Sequence, residues 1–449
     1  MREIVWDDAR LEFYEREKLS EIEASMLSDD LRLGLGDYSL HKSTLQHFEK
    51  QLEDQMKDIS EKEMSARKEE LWGSDTQELS LEACFDLYNR LYDEQQKIIE
   101  SEEDVDTLTL GLLSFPALEK LTVSSETWRL RPLFPKYETP FFRSLPPGFQ
   151  MPQLWPWLGR DCDELSEEHL DKLLLPWDDN HEEWRGYQIA VDQLLVTAAH
   201  HKVREFVIDT NYELTGISCQ IFDSPENAGY ITTMRLFQAV QLTTFELCLN
   251  VETAQEAAFS CFRNGLLKAA LSQLTALKHV ALSTSIDTMD DDHYLKVSEG
   301  WLSLDEILPV EIWSTKLESL KLCNLLLHGE SLYDTVSAMT SLTTIWLDCV
   351  SLTDELTWRD LMFRIKNDLV PSSRTWTSDR PDVVFRRKVS SLDLRLDSSA
   401  EVRAFLYGEG DCPFTAPYPT FANAGWIVNN WDPKERHYMG PLGAVEPDS

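Results

Sequence analysis

The side chains of this 449-residue chain that could do chemistry are scattered. Asp287, Asp290, Asp291, Asp292 and His293 form the densest acidic group, and hard cations prefer oxygen ligands of this kind. The glycine and far-end carboxylate of an EF-hand loop are not in register, so the run is expected to be a solvated loop. His200 and His201 close a helical stretch ahead of an apolar run. No carboxylate or nucleophile is spaced beside them, so the pair is expected to cap the helix, whose C-terminal dipole favours imidazolium, instead of acting as a base. The eight cysteines (Cys84, Cys162, Cys219, Cys248, Cys261, Cys323, Cys349 and Cys412) include no CxxC and no Cys/His pair at zinc spacing. They are expected to be reduced and mostly structural, as small buried hydrophobes. A Walker loop, a GxSxG elbow, an HExxH helix and the kinase signatures are all absent from the sequence. Gly408-Glu409-Gly410 opens no helix and reads as a turn, and Arg386-Arg387-Lys388 is short for an import signal and is expected to cover a strand edge or helix end. These spacings predict a protein that is not an enzyme and uses no cofactor or metal. The alternative is an α/β hydrolase or transferase whose site residues are dispersed along the chain.

Charge narrows the partners. The chain carries 42 Lys and Arg against 79 Asp and Glu, a formal charge of −37, which repels phosphate backbones and anionic lipid headgroups at long range. Nucleic acid and membrane surfaces are therefore not expected as partners. Charged residues stand where a secretion signal would place its apolar region, and no apolar run approaches the roughly 18 residues of a membrane span. The expected compartment is the cytosol or nucleus.

The elements that must position any site follow from hydrophobic periodicity. Leu45, Phe48, Leu52, Met56 and Ile59 form a helical stripe within 41–72, and a second stripe covers 79–99, followed by a shorter helix over 105–113. From Leu118 a different pattern takes over, apolar-x-x-apolar-x-apolar: Leu118/Leu121/Val123, Val203/Phe206/Ile208, Leu242/Phe245/Leu247, Leu277/Val280/Leu282, Leu317/Leu320/Leu322, Leu342/Ile345/Leu347 and Val389/Leu392/Leu394. Helix-like stretches precede several of these runs, as at 257–273 and 332–339. A helix, turn and strand repeated in one sense stacks parallel strands side by side with helices on the other face. The predicted fold is α/β, an irregular leucine-rich-repeat-like solenoid with an N-terminal helical region. Only the step from Leu317 to Leu342 falls in the standard repeat length of about 20–29 residues. The domain reading is an acidic helical region or cap over 1–103, the repeat region over 104–414 and a C-terminal tail or cap over 415–449. A Pro- and aromatic-rich insertion interrupts the repeats at 125–160. Further helices are expected at 165–174 and 182–197, the latter opened by a capping box of Asn180 and Glu183.

Period-2 alternation sends Leu121, Phe206, Phe245, Val280, Leu320, Ile345 and Leu392 inward, which leaves the residues between them on the open face of the sheet. These are Lys120, Thr122, Glu205, Asp209, Glu246, His279, Lys321, Trp346, Asp348, Asp393 and Arg395. A tryptophan among charged neighbours has the composition of a binding hot spot, although Trp346 packed under a loop or the tail would look the same in sequence.

Several segments carry a resemblance. Arg2-Glu3-Ile4-Val5-Trp6-Asp7-Asp8, the helix from Leu91 to Glu100, Phe115-Pro116-Ala117-Leu118-Glu119-Lys120-Leu121-Thr122, Phe142-Arg143-Ser144-Leu145-Pro146-Pro147-Gly148-Phe149, Glu183-Trp184-Arg185-Gly186-Tyr187 and the run from Phe405 to Phe414 resemble a group of filamentous-fungal F-box-type proteins with degenerate leucine-rich-repeat-like units. The resemblance implies a protein-binding scaffold akin to a substrate-recognition region, with a ubiquitination substrate as partner. In those relatives an F-box precedes the segment that opens this chain, so this chain by itself is not expected to join a ubiquitin ligase. Leu308-Pro309-Val310-Glu311-Ile312 looks like an F-box opening but runs directly toward a repeat strand, and is expected to be a decoy.

Overall fold

In the computed structural model of the chain, the described residues are 1–11 except 9, 81–125, a few positions between 137 and 177, and most of 181–414. The breaks in that last stretch are 211–214, 252–258, 287–300, 353–355, 371–380, 389–394 and 409. The helical stripe at 41–72, the helix at 165–174, Asn180, the acidic group at 287–293, most of the 125–160 insertion and the 415–449 tail lie outside the described residues.

The chain divides into two compact units, one made of Met1–Trp6, Thr107–Ser124 and Trp157–Ser449, the other of Asp7–Asp106 and Ser125–Pro156. In chain order the described elements begin with β1 (Glu3–Asp7), α1 (Leu81–Ser101), α2 (Glu103–Ser114), β2 (Lys120–Ser124), α3 (Arg185–Val196), β3 (Glu205–Ile208), β4 (Ile217–Ser218), α4 (Ala228–Ala239) and β5 (Thr244–Asn250). They continue with α5 (Ser260–Arg263), α6 (Leu266–Leu271), β6 (His279–Thr284), α7 (Leu304–Ile307), α8 (Val310–Trp313), β7 (Ser319–Cys323), β8 (Leu326–Leu327), α9 (Gly329–Ala338) and β9 (Thr344–Asp348). The last are β10 (Ser351–Leu352), α10 (Trp358–Arg364), β11 (Asp382–Lys388), β12 (Arg395–Asp397) and α11 (Ser399–Tyr407). In the smaller unit, α1 holds the start of the chain through a two-way bond: Gln95 Oε1 accepts the Leu11 N–H at 2.8 Å while Gln95 Nε2 donates to the Leu11 carbonyl at 2.9 Å.

The larger unit is α/β with a mostly parallel sheet. Its strands lie side by side in chain order, β1-β2-β3-β5-β6-β7-β9-β11-β12, with β4 paired to β5. From β2 to β11 every pair on this path is parallel, and β12 returns antiparallel. One backbone device repeats at each step from β1 to β9. The Arg2 carbonyl accepts the N–H groups of Glu119 and Lys120, the Glu119 carbonyl those of Arg204 and Glu205, and the Arg204 carbonyl those of Thr243 and Thr244. The same fork recurs at Thr243, Lys278 and Glu318. Each fork sets the start of the next strand, so register passes along the sheet and the apolar rows line up. Leu121, Phe206, Phe245, Val280, Leu320 and Ile345 are consecutive register partners and all are buried. The preceding row of Leu118, Val203, Leu242, Leu277, Leu317 and Leu342 is buried as well. Burial of such side chains stabilises by roughly 1.5–3 kcal/mol each.

Helices cover this inward face. Tyr187 of α3 stacks near Phe206 at 6.2 Å, Phe237 of α4 meets Phe245 edge-on at 5.0 Å, and Tyr187 Oη and Thr233 Oγ1 share a 2.8 Å hydrogen bond between α3 and α4. Tryptophans join neighbouring steps: Trp184 Nε1 donates to the Gly216 carbonyl at 2.9 Å and Trp313 Nε1 to the Leu274 carbonyl at 3.0 Å. Gly216 itself must be glycine, because a Cβ there would lie 2.5 Å from the Cys248 carbonyl carbon and oxygen.

Several expectations change. The chain's opening residues, read as the head of a helical region, form β1 and extend the sheet. The single helix expected over 257–273 is two short ones, because Gly265 takes φ 79° and the Asn264 side chain caps the Leu266 N–H at 2.8 Å. The parallel strand next to β9 is one that the leucine pattern did not mark. It is Asp382–Lys388, with Val383 opposite Ile345 and Phe385 opposite Leu347, while the expected run of Val389, Leu392 and Leu394 lies outside the described residues. Val383 and Phe385 therefore continue the buried rows. The Leu308–Ile312 stretch runs from the C-terminal cap of α7 through Pro309 into the single-turn α8, and β7 follows.

Candidate functional site

The outward side chains of the strands form ladders on the sheet face opposite the helices. In the row at the strand beginnings, Lys120 is the register partner of Glu205, Glu205 of Thr244, and Thr244 of His279. In the second row Glu246 is opposite Ala281, Ala281 opposite Lys321 and Lys321 opposite Trp346. The fold thus brings Lys120, Glu205 and His279 into one row, and Glu246, Lys321 and Trp346 into the next.

The two ends of this face differ. Near β2 and β3 it is closed, with Thr122 at 0% and Val207 at 5% exposure, while from β5 to β11 Glu246, Lys321 and Trp346 are half-buried and His279 is exposed. Ala281 is the small residue that permits the central arrangement. Strands are about 4.8 Å apart, so Lys321 reaches over β6 to Glu246 only because nothing larger stands between; its Nζ lies 3.8 Å from Glu246 Oε2. The same ammonium sits 5.5 Å from the Trp346 ring centroid. From the other side Arg386 of β11 stands 4.7 Å over the ring and pairs with Asp397 Oδ2 of β12 at 3.3 Å. Against the burial that raises it, hydrogen bonds from Ser399 and Arg386 hold the Asp397 carboxyl below the ordinary carboxylate range. The result is a strip reading Glu246, Lys321, Trp346, Arg386, Asp397, in which an aromatic ring is flanked by two cations and the cations by two carboxylates. Contacts of a cation with a tryptophan face contribute about 0.5–1 kcal/mol each at exposed sites. The Trp346 indole N–H is buried and has no hydrogen-bond partner among the described residues, where this side chain makes its contacts through its ring.

Other expected site residues fall elsewhere. Asp348 points to the same face but is fully buried, with Oδ1 accepting from the Cys349 thiol at 3.3 Å; it is in register between Cys323 and Arg386 and belongs to the floor of the face. Asp209 follows β3, half-buried, with its N–H donating to the Val123 carbonyl at 2.9 Å. Arg395 opens the antiparallel β12, opposite Lys388, so it is not on a repeat strand, and Asp393 is outside the described residues. Arg386 and Asp397 were missed as site residues, because the signal that places them is the β11 register and not a leucine pattern.

Chemistry at the expected reactive groups is subdued. His201 does cap a helix, but as the neutral ring: Nε2 contacts the Leu194 carbonyl at 3.0 Å while Nδ1 accepts the Val203 N–H at 3.1 Å. Burial pushes its pKa down, against the Leu194 hydrogen bond and with help from His200, which overturns the expected imidazolium. Cys248 shares a 2.6 Å contact with Ser283 Oγ, and burial raises its thiol pKa, so it stays protonated and weakly nucleophilic at neutral pH. Among the described residues no three His, Cys, Asp or Glu side chains converge as metal ligands, and no helix is long and apolar enough to cross a membrane. No protein-family model, curated protein or solved structure matches the chain.

Proposed function

We propose that the chain is a non-catalytic protein-binding scaffold, an irregular leucine-rich-repeat-like solenoid whose open sheet face receives an extended segment of a partner protein. The observation that carries this reading is Trp346, a half-buried tryptophan held between Lys321 and Arg386 at the middle of the open part of the face. Tryptophan and arginine are the residue types that dominate binding energy at interfaces, and a ring already braced on both sides loses little freedom when a partner covers it. Parallel strands in chain order with a repeated backbone fork support the solenoid reading, since each repeat then contacts chiefly its neighbours. The resemblance to fungal F-box-type proteins makes a ubiquitination substrate the partner of choice, and the cytosol or nucleus the compartment.

Affinity capture with quantitative mass spectrometry tests the reading. Wild-type chain, a Trp346→Ala/Lys321→Glu variant and a Val196→Ser control on the helix layer serve as baits. The expected outcome is a prey retained by wild type and control and depleted at least tenfold by the face variant, the loss of about 1.4 kcal/mol or more that a hot-spot truncation causes. Equal recovery of every prey by all three baits would sink it.

A further inference from the structure

We infer that the segment received by the open sheet face is a basic one, an extended stretch with an apolar residue for Trp346 and Lys or Arg residues on either side of it. The inference rests on the scaffold reading above and names the chemistry of its partner. The centre of the strip is apolar: Trp346 and its register partner Val384 are both half-buried. The two cations beside the ring are already engaged. Lys321 and Arg386 stand by its face, and each also meets a carboxylate, Glu246 at 3.8 Å and Asp397 at 3.3 Å. In both pairs the acid is the more open partner, Glu246 at 37% side-chain exposure against 32% for Lys321, and Asp397 at 45% against 27% for Arg386. A third carboxylate, Asp382, stands exposed at the start of β11 opposite Thr344, where Arg403 of α11 pairs with it. What the strip turns toward a partner is therefore an apolar centre with acid at its margins.

Strand spacing sets the pattern of the segment. With strands about 4.8 Å apart, Glu246 on β5 lies three spacings, roughly 14 Å, from Trp346 on β9, and Asp397 on β12 lies two spacings, roughly 10 Å, on the other side. An extended segment crossing the strands advances about 3.3 Å per residue, so its cations belong roughly two to four positions before and after the apolar residue once the reach of a long basic side chain is included. A carboxylate has about four acceptor sites, so Glu246 and Asp397 can take a second cation without releasing the one that braces the ring. At longer range the formal charge of −37 attracts a cationic segment and repels an acidic one, an effect that salt screens.

The test selects random phage-displayed peptides on the full chain, then titrates synthetic copies of the enriched ones against wild type and three variants whose folding is checked by circular dichroism. The variants are Trp346→Ala, the near-isosteric Glu246→Gln/Asp397→Asn, and Glu306→Gln/Glu401→Gln, which removes the same charge from exposed positions on α7 and α11. The expected peptides carry Lys or Arg on both sides of an apolar residue and are lost on Trp346→Ala. They should bind Glu246→Gln/Asp397→Asn at least about fivefold more weakly and the α7/α11 variant as tightly as wild type, because close charge pairs and not bulk charge hold them. Binding to wild type should also weaken as salt rises from about 0.05 to 0.5 M, a readout independent of how any variant folds. Peptides that need Trp346 but are acidic or uncharged would overturn the inference and leave the scaffold reading standing. Basic peptides weakened equally by both charge-removing variants would overturn it as well, while a selection yielding no peptide that depends on Trp346 would overturn both readings.

Discussion

At the scale of single residues, His201 shows how a polar side chain is spent on structure. Both ring nitrogens are used in a buried setting, one toward the end of α3 and one for the Val203 N–H that leads into β3. Protonation would remove the acceptor on Nδ1 and place a charge in the interior. The folded pKa is therefore below the unfolded value of about 6.5. In the window between the two, the unfolded chain binds more protons, so the contribution of His201 is complete above pH ~6.5 and declines as pH falls through that value. His201→Leu is expected to cost about 1–3 kcal/mol at pH 7.5, the penalty of leaving a buried carbonyl and a buried N–H unanswered. The gap between wild type and variant should shrink as the pH is lowered to about 5. Urea unfolding at both pH values measures this, and a gap that stays constant or widens in acid would refute it. Asp348 teaches the same lesson on the sheet face, since its alternation is that of an outward residue while its exposure is nil.

Among the elements, β11 is the one on which the site depends. It brings Arg386 over Trp346, and its Phe385 packs edge-on against Trp358 at 4.9 Å and against Phe414 at 5.2 Å. Beneath it, Ile345, Leu347 and Val383 line a small apolar cavity of about 10 Å³ with Leu361 and Met362 of α10; a void of that size and polarity stays dry. Phe385→Ala would enlarge the empty space at the end of the sheet and is expected to destabilise by about 3–5 kcal/mol. The same variant should weaken the partner capture proposed for the face, because Arg386 loses the strand that aims it. Denaturant titration gives the first number. A loss below about 1 kcal/mol would mean that Asp382–Lys388 is not a packed strand.

For the molecule as a whole the governing quantity is the formal charge of −37. Ion pairs such as Lys120 with Glu3 at 2.9 Å and Lys278 with Glu318 at 2.6 Å lie at the surface, where each contributes roughly 0–1 kcal/mol and is itself weakened by salt. General repulsion among the excess carboxylates is the larger effect, and the Debye length shortens from roughly 30 Å at 0.01 M salt to about 8 Å at 0.15 M. The melting temperature is therefore expected to rise by a few degrees between these salt concentrations, as followed by circular dichroism, and a fall would show that the surface pairs dominate. Much of this fold is legible in the one-dimensional pattern. The leucine spacing at six of the seven strands and the inward identity of Leu121, Phe206, Phe245, Val280, Leu320 and Ile345 follow from side-chain alternation, which is a local property. Lys321 and Trp346 fall on one face for the same reason. Tertiary structure decided the rest. Which charged residues become neighbours depends on pairing between strands, and pairing is a non-local property set by the backbone bonds from one strand to the next. Local pattern alone therefore missed β1 and β11, left Arg386 and Asp397 out of the site and counted Asp348 as exposed. Each of those outcomes is fixed by what a neighbouring strand covers or brings near, and the pattern along a single segment carries no record of it.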